Sequence, residues 1–398
     1  MVPSLRKAFN DAFTPEKYEV FLKALHAQFP DAIDFRVAET PVFVPRSFAA
    51  QMTDACEYII DVILDPAFRE RTERAIPDGD RVANENGHPH FLAFDFGVCV
   101  DESGYHPQLI ELQGFASLYG FQVLYPEILR QHFDIPADYS QFLSGLDKAS
   151  YVRELKATIV GDLPVEQVIL LELRPHQQKT RIDFYATQEY LGIQVVDLLE
   201  LIQEGRQLFY MHPVTGEKTL IKRIYNRVIF DELNAAGLTP GSYVDIRADL
   251  DVEWVAHPNW FYRISKFLLP YLHHPCVPHS FFVNELKQPP ADLENYVLKP
   301  LFSFAGQGVV IDVTADDLEK IKDPENWILQ RKVTYADLIP TPDIPAKVEL
   351  RLLYLWKDGD ARPTLAINLA RLSKGKMIGV RYNKDKEWVG GSVGFFER

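Results

Sequence analysis

The residues best suited to chemistry lie in two distant segments, and the first carries acids and an amide. It reads FLAFDFGVCVDESGYHPQLIELQGF over residues 91–115. Glu111 and Gln113 are two positions apart, so on a strand their side chains share one face. A turn centred on Gly104 would pair Asp95 with Gln113, within about 5 Å between Cβ atoms. Asp95 would then lie diagonal to Glu111. Such a set of hard oxygen donors suits the Mg²⁺ that accompanies nucleotide phosphates, although acids on a half-exposed sheet would also produce this alternation.

The second segment reads YVLKPLFSFAGQGVVIDV over residues 296–313 and places a lysine before a loop of small residues. The chain has no G-x-x-x-x-G-K-[ST] motif near Lys299, and a second apolar run predicts a strand where a Walker loop would have a helix. Gly306 and Gly308 would let backbone N–H groups approach phosphates. Lys299 would add a positive charge. An ordinary hairpin with an edge lysine fits the same pattern.

A later segment, WILQRKV over residues 327–333, is predicted to be a strand near this loop. Its backbone groups at Gln330–Lys332 are candidates for binding the edge of an adenine ring, with Leu329 and Val333 packing on the ring.

A cluster of basic residues and one cysteine indicate a functional site less strongly. Arg174, Lys179 and Arg181 follow a predicted buried strand, at the edge where open α/β sheets bind ligands. The solvated first turn of a helix explains them equally well. Cys99 has no obvious histidine partner, so nucleophilic hydrolysis has little support.

These segments need a scaffold, and hydrophobic periodicity indicates its parts. The first 75 residues or so are mainly helical, as in PEKYEVFLKALHAQF, where apolar residues recur on one helix face. The 91–115 segment follows as two strands. From about residue 155, apolar strands such as QVILLEL alternate with helices, which predicts a small parallel sheet. The last third returns to strands, including KVELRLLYLW, TLAINLARLS and KMIGVRYN.

Composition limits the class of protein. A chain of 398 residues predicts two or three domains, and a net charge of −14 argues against nucleic-acid or anionic-membrane partners. Three scattered cysteines are too few for a disulfide framework or a zinc site. No apolar run approaches the ~18 residues of a membrane span, and no signal peptide is recognisable, so we expect a cytoplasmic protein.

Together, YVLKPLFSFAGQGVV, WILQRKV and the acid–x–amide of LIELQGF resemble the ATP-grasp family. The order of the segments resembles its circularly permuted branch, to which the synthetase domain of glutathionylspermidine synthase belongs. The resemblance covers roughly residues 92–396. It implies an α+β ATP-grasp fold with a parallel pre-grasp domain. We divide the chain into an N-terminal helical segment (1–75), a metal-binding hairpin with part of the central domain (76–154), a pre-grasp-like α/β domain (155–270), and the lid with the C-terminal central strands (271–398).

The resemblance also implies roles for individual residues and the cofactors ATP and Mg²⁺. Asp95, Glu111 and Gln113 would bind magnesium. Lys266, in FYRISKFLLPYL, would be a second phosphate-side lysine beside Lys299. The remaining ATP-binding candidates belong to the lid and the predicted adenine edge: Ser303, Gly306, Gln307, Gly308, Gln330, Arg331 and Lys332.

Two positions depart from the family pattern. Relatives have an arginine two residues before the metal aspartate, where this chain has Ala93, and an asparagine where it has Gln113. Arginines from the C-terminal strands, Arg351, Arg371 or Arg381, are candidates to replace the missing charge, although an ordinary surface arginine explains each of them equally well.

The implied function is an ATP-dependent ligase that joins a small carboxylate to a small amine through an acyl phosphate. The alternative is an ATP-grasp protein that binds ATP without turnover, as a sensor or scaffold. The oligomeric state is not predictable.

Overall fold

A computed structural model describes residues 2–238, 241–302, 308–375, 378 and 383–398. Within them the α-helices are α1 (Pro3–Ala12), α2 (Pro15–His26), α3 (Arg46–Leu64), α4 (Phe68–Arg71), α5 (Phe121–His132), α6 (Lys148–Ile159), α7 (Arg181–Leu191), α8 (Phe230–Ala235), α9 (Pro258–Arg263) and α10 (Ala315–Glu319). The strands are β1 (Val42–Val44), β2 (Phe91–Asp101), β3 (Gly104–Gln113), β4 (Tyr139–Ser140), β5 (Val168–Glu172), β6 (Gln194–Asp197), β7 (Ile202–Glu204), β8 (Gln207–Met211), β9 (Lys218–Ile221), β10 (Arg223–Asn226), β11 (Glu253–Val255), β12 (Ser280–Phe282), β13 (Tyr296–Pro300), β14 (Trp327–Arg331), β15 (Lys347–Leu355), β16 (Thr364–Ser373), β17 (Gly390–Ser392) and β18 (Gly394–Glu397).

The described strands form a mixed α+β fold with several sheets. A five-stranded antiparallel sheet, β17-β16-β15-β2-β3, is called the central sheet below. A parallel sheet has the order β11-β10-β5-β6. The antiparallel sheet β12-β14-β13 is called the lid sheet. Two further three-stranded sheets are β1-β18-β4 and β7-β8-β9.

One face of the central sheet is apolar, and the other carries polar side chains together with apolar ones such as Ala93 and Leu353. Side chains alternate along a strand, so Phe94 and Phe96 of β2 point to one face and Asp95 to the other. The two phenylalanines belong to the same buried cluster as Met52 and Ile59 of α3. The face opposite α3 therefore carries the polar residues of the site.

The predicted scaffold is largely confirmed. The N-terminal region is helical, the 91–115 segment is a hairpin, and β5, β6, β10 and β11 form the predicted parallel sheet. Helix α7 ends where Gly192 adopts φ +81°, a left-handed conformation that glycine accepts without strain. Most of KMIGVRYN lies outside the described residues. The domain limits drawn above stay predictions.

The lysine loop returns to pair with β13, as predicted, but the predicted second strand is reduced to an isolated bridge at Val310. Leu298 of β13 and Val310 exchange both backbone hydrogen bonds, each 2.9 Å long. The chain therefore turns back on itself after Lys299. Residues 303–307, which form most of the loop, lie outside the described part of the chain.

Two smaller expectations can be compared with the structure. All three cysteines, Cys56, Cys99 and Cys276, are free and buried. Among the described residues, no helix combines the length and apolar character needed to cross a membrane.

Candidate functional site

The register of the β2–β3 hairpin differs from the predicted one. The predicted pairing of Asp95 with Gln113 is wrong, because Asp95 pairs directly with Glu111, and Ala93 pairs with Gln113. The turn closes before Gly104, earlier than the predicted centre. The predicted common face is nevertheless present, since Asp95, Glu111 and Gln113 occupy side-by-side positions on it.

A β-bulge produces this common face. The pairing passes from Asp95–Glu111 to Phe96–Leu109, so Ile110 is an extra residue in β3. A regular hairpin with the observed turn would pair Asp95 with Ile110, and Glu111 would then point to the opposite face. The bulge therefore brings the two acids together.

Asp95 is held by two arginines, one from the neighbouring strand β15 and one from β16, the strand beyond it. Arg351 lies opposite it on β15, and its Nε and Nη2 donate to the two carboxylate oxygens at 2.5 and 2.6 Å. Arg371 Nη2 donates to Asp95 Oδ2 at 2.5 Å. Arg351 Nη1 also reaches Ser117 Oγ at 2.9 Å. Burial alone would raise the pKa of Asp95, but the two guanidiniums keep that pKa below its ordinary value. Asp95 is therefore a buried, ionised carboxylate, only 1% exposed.

The network extends to a carboxylate that the sequence analysis missed. Glu349 on β15 accepts from Arg371 Nη2 at 2.9 Å and from the Tyr335 hydroxyl at 2.5 Å. The Tyr335 ring fits because position 97 is glycine: a Cβ there would lie 2.8 Å from the ring. Burial raises the pKa of Glu349 despite Arg371. The spacing of Glu349 and Arg351, two apart on a predicted strand, indicated that both occupy the same face of that strand.

Lys299 connects the lid sheet to the hairpin. Its Nζ donates to the side-chain oxygen of Gln330 on β14 at 2.5 Å and to the carbonyl of Ile110 at 3.2 Å. Ile110 is the bulge residue, so its carbonyl is available to the lysine. Burial lowers the pKa of Lys299, whereas Glu111 and Glu349 act in the opposite direction. The lysine segment and the acid segment therefore meet at one point.

Lys266 is the second cation at this junction. It begins a short 3₁₀ helix, Lys266–Tyr271, and is 7% exposed. Burial lowers the pKa of its ammonium group to about 8; Glu111 opposes this shift and Lys299 adds to it. Lys266, Glu111, Gln113 and Phe302 line one narrow cleft with a cavity of about 30 Å³. That volume is enough for about one water molecule. A nucleotide would fit only if the lid sheet moved away from the hairpin.

The predicted adenine edge is mostly occupied by protein. Strand β14 is the middle strand of the lid sheet, between β12 and β13. The N–H groups of Arg331 and Lys332 donate to the carbonyls of His279 and Asn295, both at 2.8 Å. The prediction of exposed backbone groups at these two positions is therefore wrong for both N–H groups. Gln330 is 3% exposed, and its Nε2 has no hydrogen-bond acceptor among the described residues.

The side chains of Arg331 and Lys332 form ion pairs within the lid. Arg331 pairs with Asp292 at 2.8 Å, and Lys332 pairs with Asp312 at 3.3 Å. Neither lines the cleft described above. An ATP-binding role for them stays a prediction.

Not all predicted lid residues can be placed. Ser303, Gly306, Gln307 and Arg381 lie outside the described residues. Gly308 is described, with φ +70°, and a Cβ there would approach Pro300 Cγ at 3.0 Å. A side chain at position 308 would therefore be strained, which explains the glycine without reference to a ligand.

The predicted magnesium set does not fit this arrangement. Both oxygens of Asp95 already accept charge-assisted hydrogen bonds, so that carboxylate has little left to offer a cation. Glu111 and Gln113 remain in the cleft, half-buried and without hydrogen bonds to other described side chains. In the described part of the chain, no three His, Cys, Asp or Glu side chains are grouped to hold a metal ion.

Comparison with known proteins supports the fold. No protein-family model matches the chain, and no curated protein matches it either. Among solved structures, a glutathione synthetase-like effector from Globodera pallida in its apo form is similar, with a TM-score of 0.59 and 12% sequence identity over 98% of each chain. The chain therefore shares its overall fold with that protein over essentially its whole length.

Proposed function

We propose that this chain, whose fold resembles that of a glutathione synthetase-like protein, is an ATP-dependent carboxylate–amine ligase. One observation carries the proposal: Lys299 of the lid sheet donates to Ile110 of the hairpin across 189 positions of sequence. A lysine-bearing lid and an acid-bearing sheet then face each other across one cleft, as an ATP-grasp site requires. The hairpin precedes the parallel sheet and the lid follows it, so we assign the chain to the circularly permuted branch, near glutathionylspermidine synthase.

Lys266 and Lys299 are the groups we assign to the ATP phosphates. They approach the cleft from different elements, a 3₁₀ helix and strand β13, and both lie within electrostatic range of Glu111. Two ammonium groups in a partly buried site attract phosphate oxygens strongly, because solvent screens them poorly. Phe302 closes the same cleft on the lid side.

The reaction we propose proceeds in two steps. A substrate carboxylate attacks the γ-phosphorus of ATP, the bond to the bridging oxygen breaks, and ADP leaves an acyl phosphate behind. The substrate amine then attacks the acyl carbon, phosphate departs, and the amine proton passes to solvent. Lys299 and Lys266 offset the charge that develops on the phosphoryl oxygens, and the closed lid keeps water from the acyl phosphate.

Fixed positive charge near the phosphoryl group comes from Arg351 and Arg371 in this proposal. Ala93 carries no charge, but Arg351 stands opposite the next residue on that face, Asp95. The arginine that relatives carry on β2 is thereby replaced from β15, the neighbouring strand. In this proposal both arginines hold Asp95 in place and keep positive charge on this polar face.

A specific observation favours a second function, nucleotide binding without turnover. Asp95 is paired with both Arg351 and Arg371, and Arg371 is also paired with Glu349, so these charged groups are engaged with one another in this structure. A protein with this arrangement would keep the lysines that hold phosphates and lose the groups that drive transfer.

ADP formation separates the two functions. The purified chain would be incubated with ATP, magnesium chloride and pools of amino acids and polyamines. A ligase releases ADP only when both an acid and an amine are present, and mass spectrometry detects the amide. ATP binding with no turnover under any pairing indicates the sensor. Absence of ATP binding would contradict both functions, and Glu111→Ala should weaken ATP binding or turnover in either case.

The pH dependence of ATP binding tests the assignment of Lys266. Its ammonium group has a pKa of about 8 in the folded chain, below the ordinary lysine value, so it loses its charge as the pH rises through 8. Phosphates prefer the charged form, and we expect ATP affinity to fall about tenfold between pH 7.5 and 9.5. Isothermal titration calorimetry at several pH values measures this. Lys266→Arg keeps its charge throughout and should remove the fall; an unchanged pH profile in that variant would contradict the assignment.

A further inference from the structure

The N-terminal segment contacts the lid sheet through the side chain of Arg74. This residue lies in the 3₁₀ turn Glu73–Ala75, ahead of the hairpin in the chain. Its guanidinium carbon lies 4.5 Å from the ring centroid of Phe282 on β12 and 4.9 Å from that of Phe267. Its Nη1 donates to the carbonyl of Glu325, just before β14, at 3.3 Å. Arg74 therefore contacts both the lid region and the 3₁₀ helix that begins at Lys266.

The two phenylalanines form an aromatic surface for this guanidinium. Phe267 and Phe282 are 0% and 1% exposed, and their ring centroids are 5.2 Å apart. A cation placed over aromatic rings is attracted by the negative faces of their π systems. Arg74 itself is exposed, so its truncation leaves no buried void.

Each of the two rings is linked to a lysine of the cleft. Phe267 directly follows Lys266 in the 3₁₀ helix. On the lid sheet, Ile328 of β14 pairs with Phe282 on one side and with Lys299 on the other. Directly paired residues of antiparallel strands share a face, and the strands are about 4.8 Å apart, so Phe282 and Lys299 lie in one row, roughly 10 Å apart. A displacement of β12 is therefore transmitted along this row to Lys299.

The turn that carries Arg74 is fixed on its other side. Arg263, at the end of α9, is 3% exposed and donates to Glu73 Oε2 and to the carbonyl of Arg69, both at 2.9 Å. Glu73 also pairs with Arg81. Glu73 is therefore engaged with other arginines, and the turn offers Arg74 a rigid base from which to reach the lid.

Open space lies beside the lid at this point. A cavity of about 980 Å³ lies between residues 76–79 and the lid residues Phe302 and Asn326, and Arg74 is part of its wall. Phe302 also lines the narrow cleft at Lys266. The lid therefore has room to move toward this cavity, and the contacts of Arg74 lie at its edge.

We propose that Arg74 is a positioning residue that sets the spacing between the two lysines of the ATP cleft. It holds Phe267, and with it Lys266, against Phe282 and the row that contains Lys299. Without the guanidinium, the lid sheet would move away from the 3₁₀ helix more often. The effect on ATP rests on the proposed function, whereas the restraint on the lid requires no ligand.

Hydrogen exchange of the ligand-free chain, followed by mass spectrometry, tests the restraint. In Arg74→Met we expect the amides of residues 279–300 and 327–332 to exchange at least fivefold faster, because local opening becomes more frequent. Arg74→Lys keeps a cation near the rings without the planar guanidinium, and should show less than half of that acceleration.

The matched control for the exchange measurement is Arg71→Met. Arg71 lines the same cavity but pairs with Asp65, so its loss should leave lid exchange within twofold of the unmodified chain. Unchanged lid exchange in Arg74→Met, or equal acceleration in Arg74→Lys and Arg74→Met, would overturn the proposal.

A second route to the same contact comes from the lid side. Phe282→Leu removes the nearer ring and leaves Arg74 in place, and it should also accelerate lid exchange. Adding Arg74→Met to it should change the exchange little further, because both variants remove one shared contact. Fully additive effects of the two substitutions would contradict the proposed contact.

Calorimetry with ATP and magnesium tests the spacing of the lysines. We expect Arg74→Met to raise the ATP dissociation constant at least fivefold and Arg71→Met to leave it within twofold. Faster lid exchange with an unchanged dissociation constant would overturn the role in lysine spacing. If the unmodified chain binds no ATP, the ligase proposal fails, and the exchange measurement alone decides whether Arg74 restrains the lid.

Discussion

Asp95→Asn is expected to destabilise the chain by about 3–5 kcal/mol, because it leaves the buried Arg351 without a counter-ion and leaves Arg371 with Glu349 alone. Asparagine has nearly the same shape as aspartate, so the change removes the charge with little effect on packing. The Arg351 side chain is 9% exposed, and it would keep its desolvation cost while losing the negative charge and one of its two acceptor oxygens. Urea unfolding at pH 7, followed by tryptophan fluorescence, measures the loss.

The control for this prediction lies in the same hairpin. Glu102→Gln removes the same charge from the exposed turn between β2 and β3, and we expect a change within about 0.5 kcal/mol. Adding Arg351→Met to Asp95→Asn should recover part of the loss, because the unpaired guanidinium is then gone.

The pH dependence of the Asp95→Asn effect has a defined sign. The folded-state pKa of Asp95 is depressed, so its contribution to stability is complete above the unfolded pKa of about 4. The contribution is lost as the pH falls through the lower folded-state value. The difference between the unmodified chain and Asp95→Asn should therefore shrink in acid. A stability loss below about 1 kcal/mol at pH 7, accompanied by loss of magnesium-dependent ATP binding, would instead restore Asp95 as a metal ligand.

Lys299→Met is expected to weaken ATP binding about 100-fold, equivalent to about 3 kcal/mol. Its ammonium group is the cation that the lid brings to the hairpin, and methionine keeps most of the stem while removing the charge. Charge-assisted hydrogen bonds to phosphate contribute about 1.5–3 kcal/mol each, more where solvent is excluded. Titration calorimetry with ATP in magnesium buffer measures the loss.

A second lysine in the lid region is the matched control. Lys320 follows helix α10 on the exposed surface, and Lys320→Met should leave ATP affinity within about twofold of the unmodified chain. Urea unfolding of both variants separates a binding defect from a folding defect. Equal ATP affinity in Lys299→Met and the unmodified chain would show that the lysine only ties the lid to Ile110.

The two predictions address different parts of one polar face. The Asp95 result reports whether the acid–arginine cluster acts as an internal ion network, whereas the Lys299 result reports whether the cleft recognises phosphate. A chain that loses stability with the first variant and ATP binding with the second has a stable polar network beside a phosphate site. Loss of neither would remove the physical basis of the ligase proposal.

Local pattern was enough to identify the elements and the polar face. Alternation of apolar and polar residues along 91–115 and 347–355 predicted the strands, since side chains on a strand alternate between two faces. Gly192 marked the end of α7, and the valine-rich run after Lys299 showed that the loop returns to a paired segment. The common face of Asp95, Glu111 and Gln113 followed from the same period of two.

The partners of these residues depended on tertiary structure. The bulge at Ile110 is a local irregularity without a compositional signal, and it decided that Asp95 faces Glu111. Strand order placed β15 beside β2 and β16 next to β15, so Arg351 and Arg371 bound the acid that had been expected to bind a metal. Strand β14 is the middle strand of the lid sheet, so the N–H groups that were expected to bind adenine donate to backbone carbonyls of the protein instead. Sequence spacing fixes which face a side chain occupies, whereas strand order and packing fix which charge it meets there.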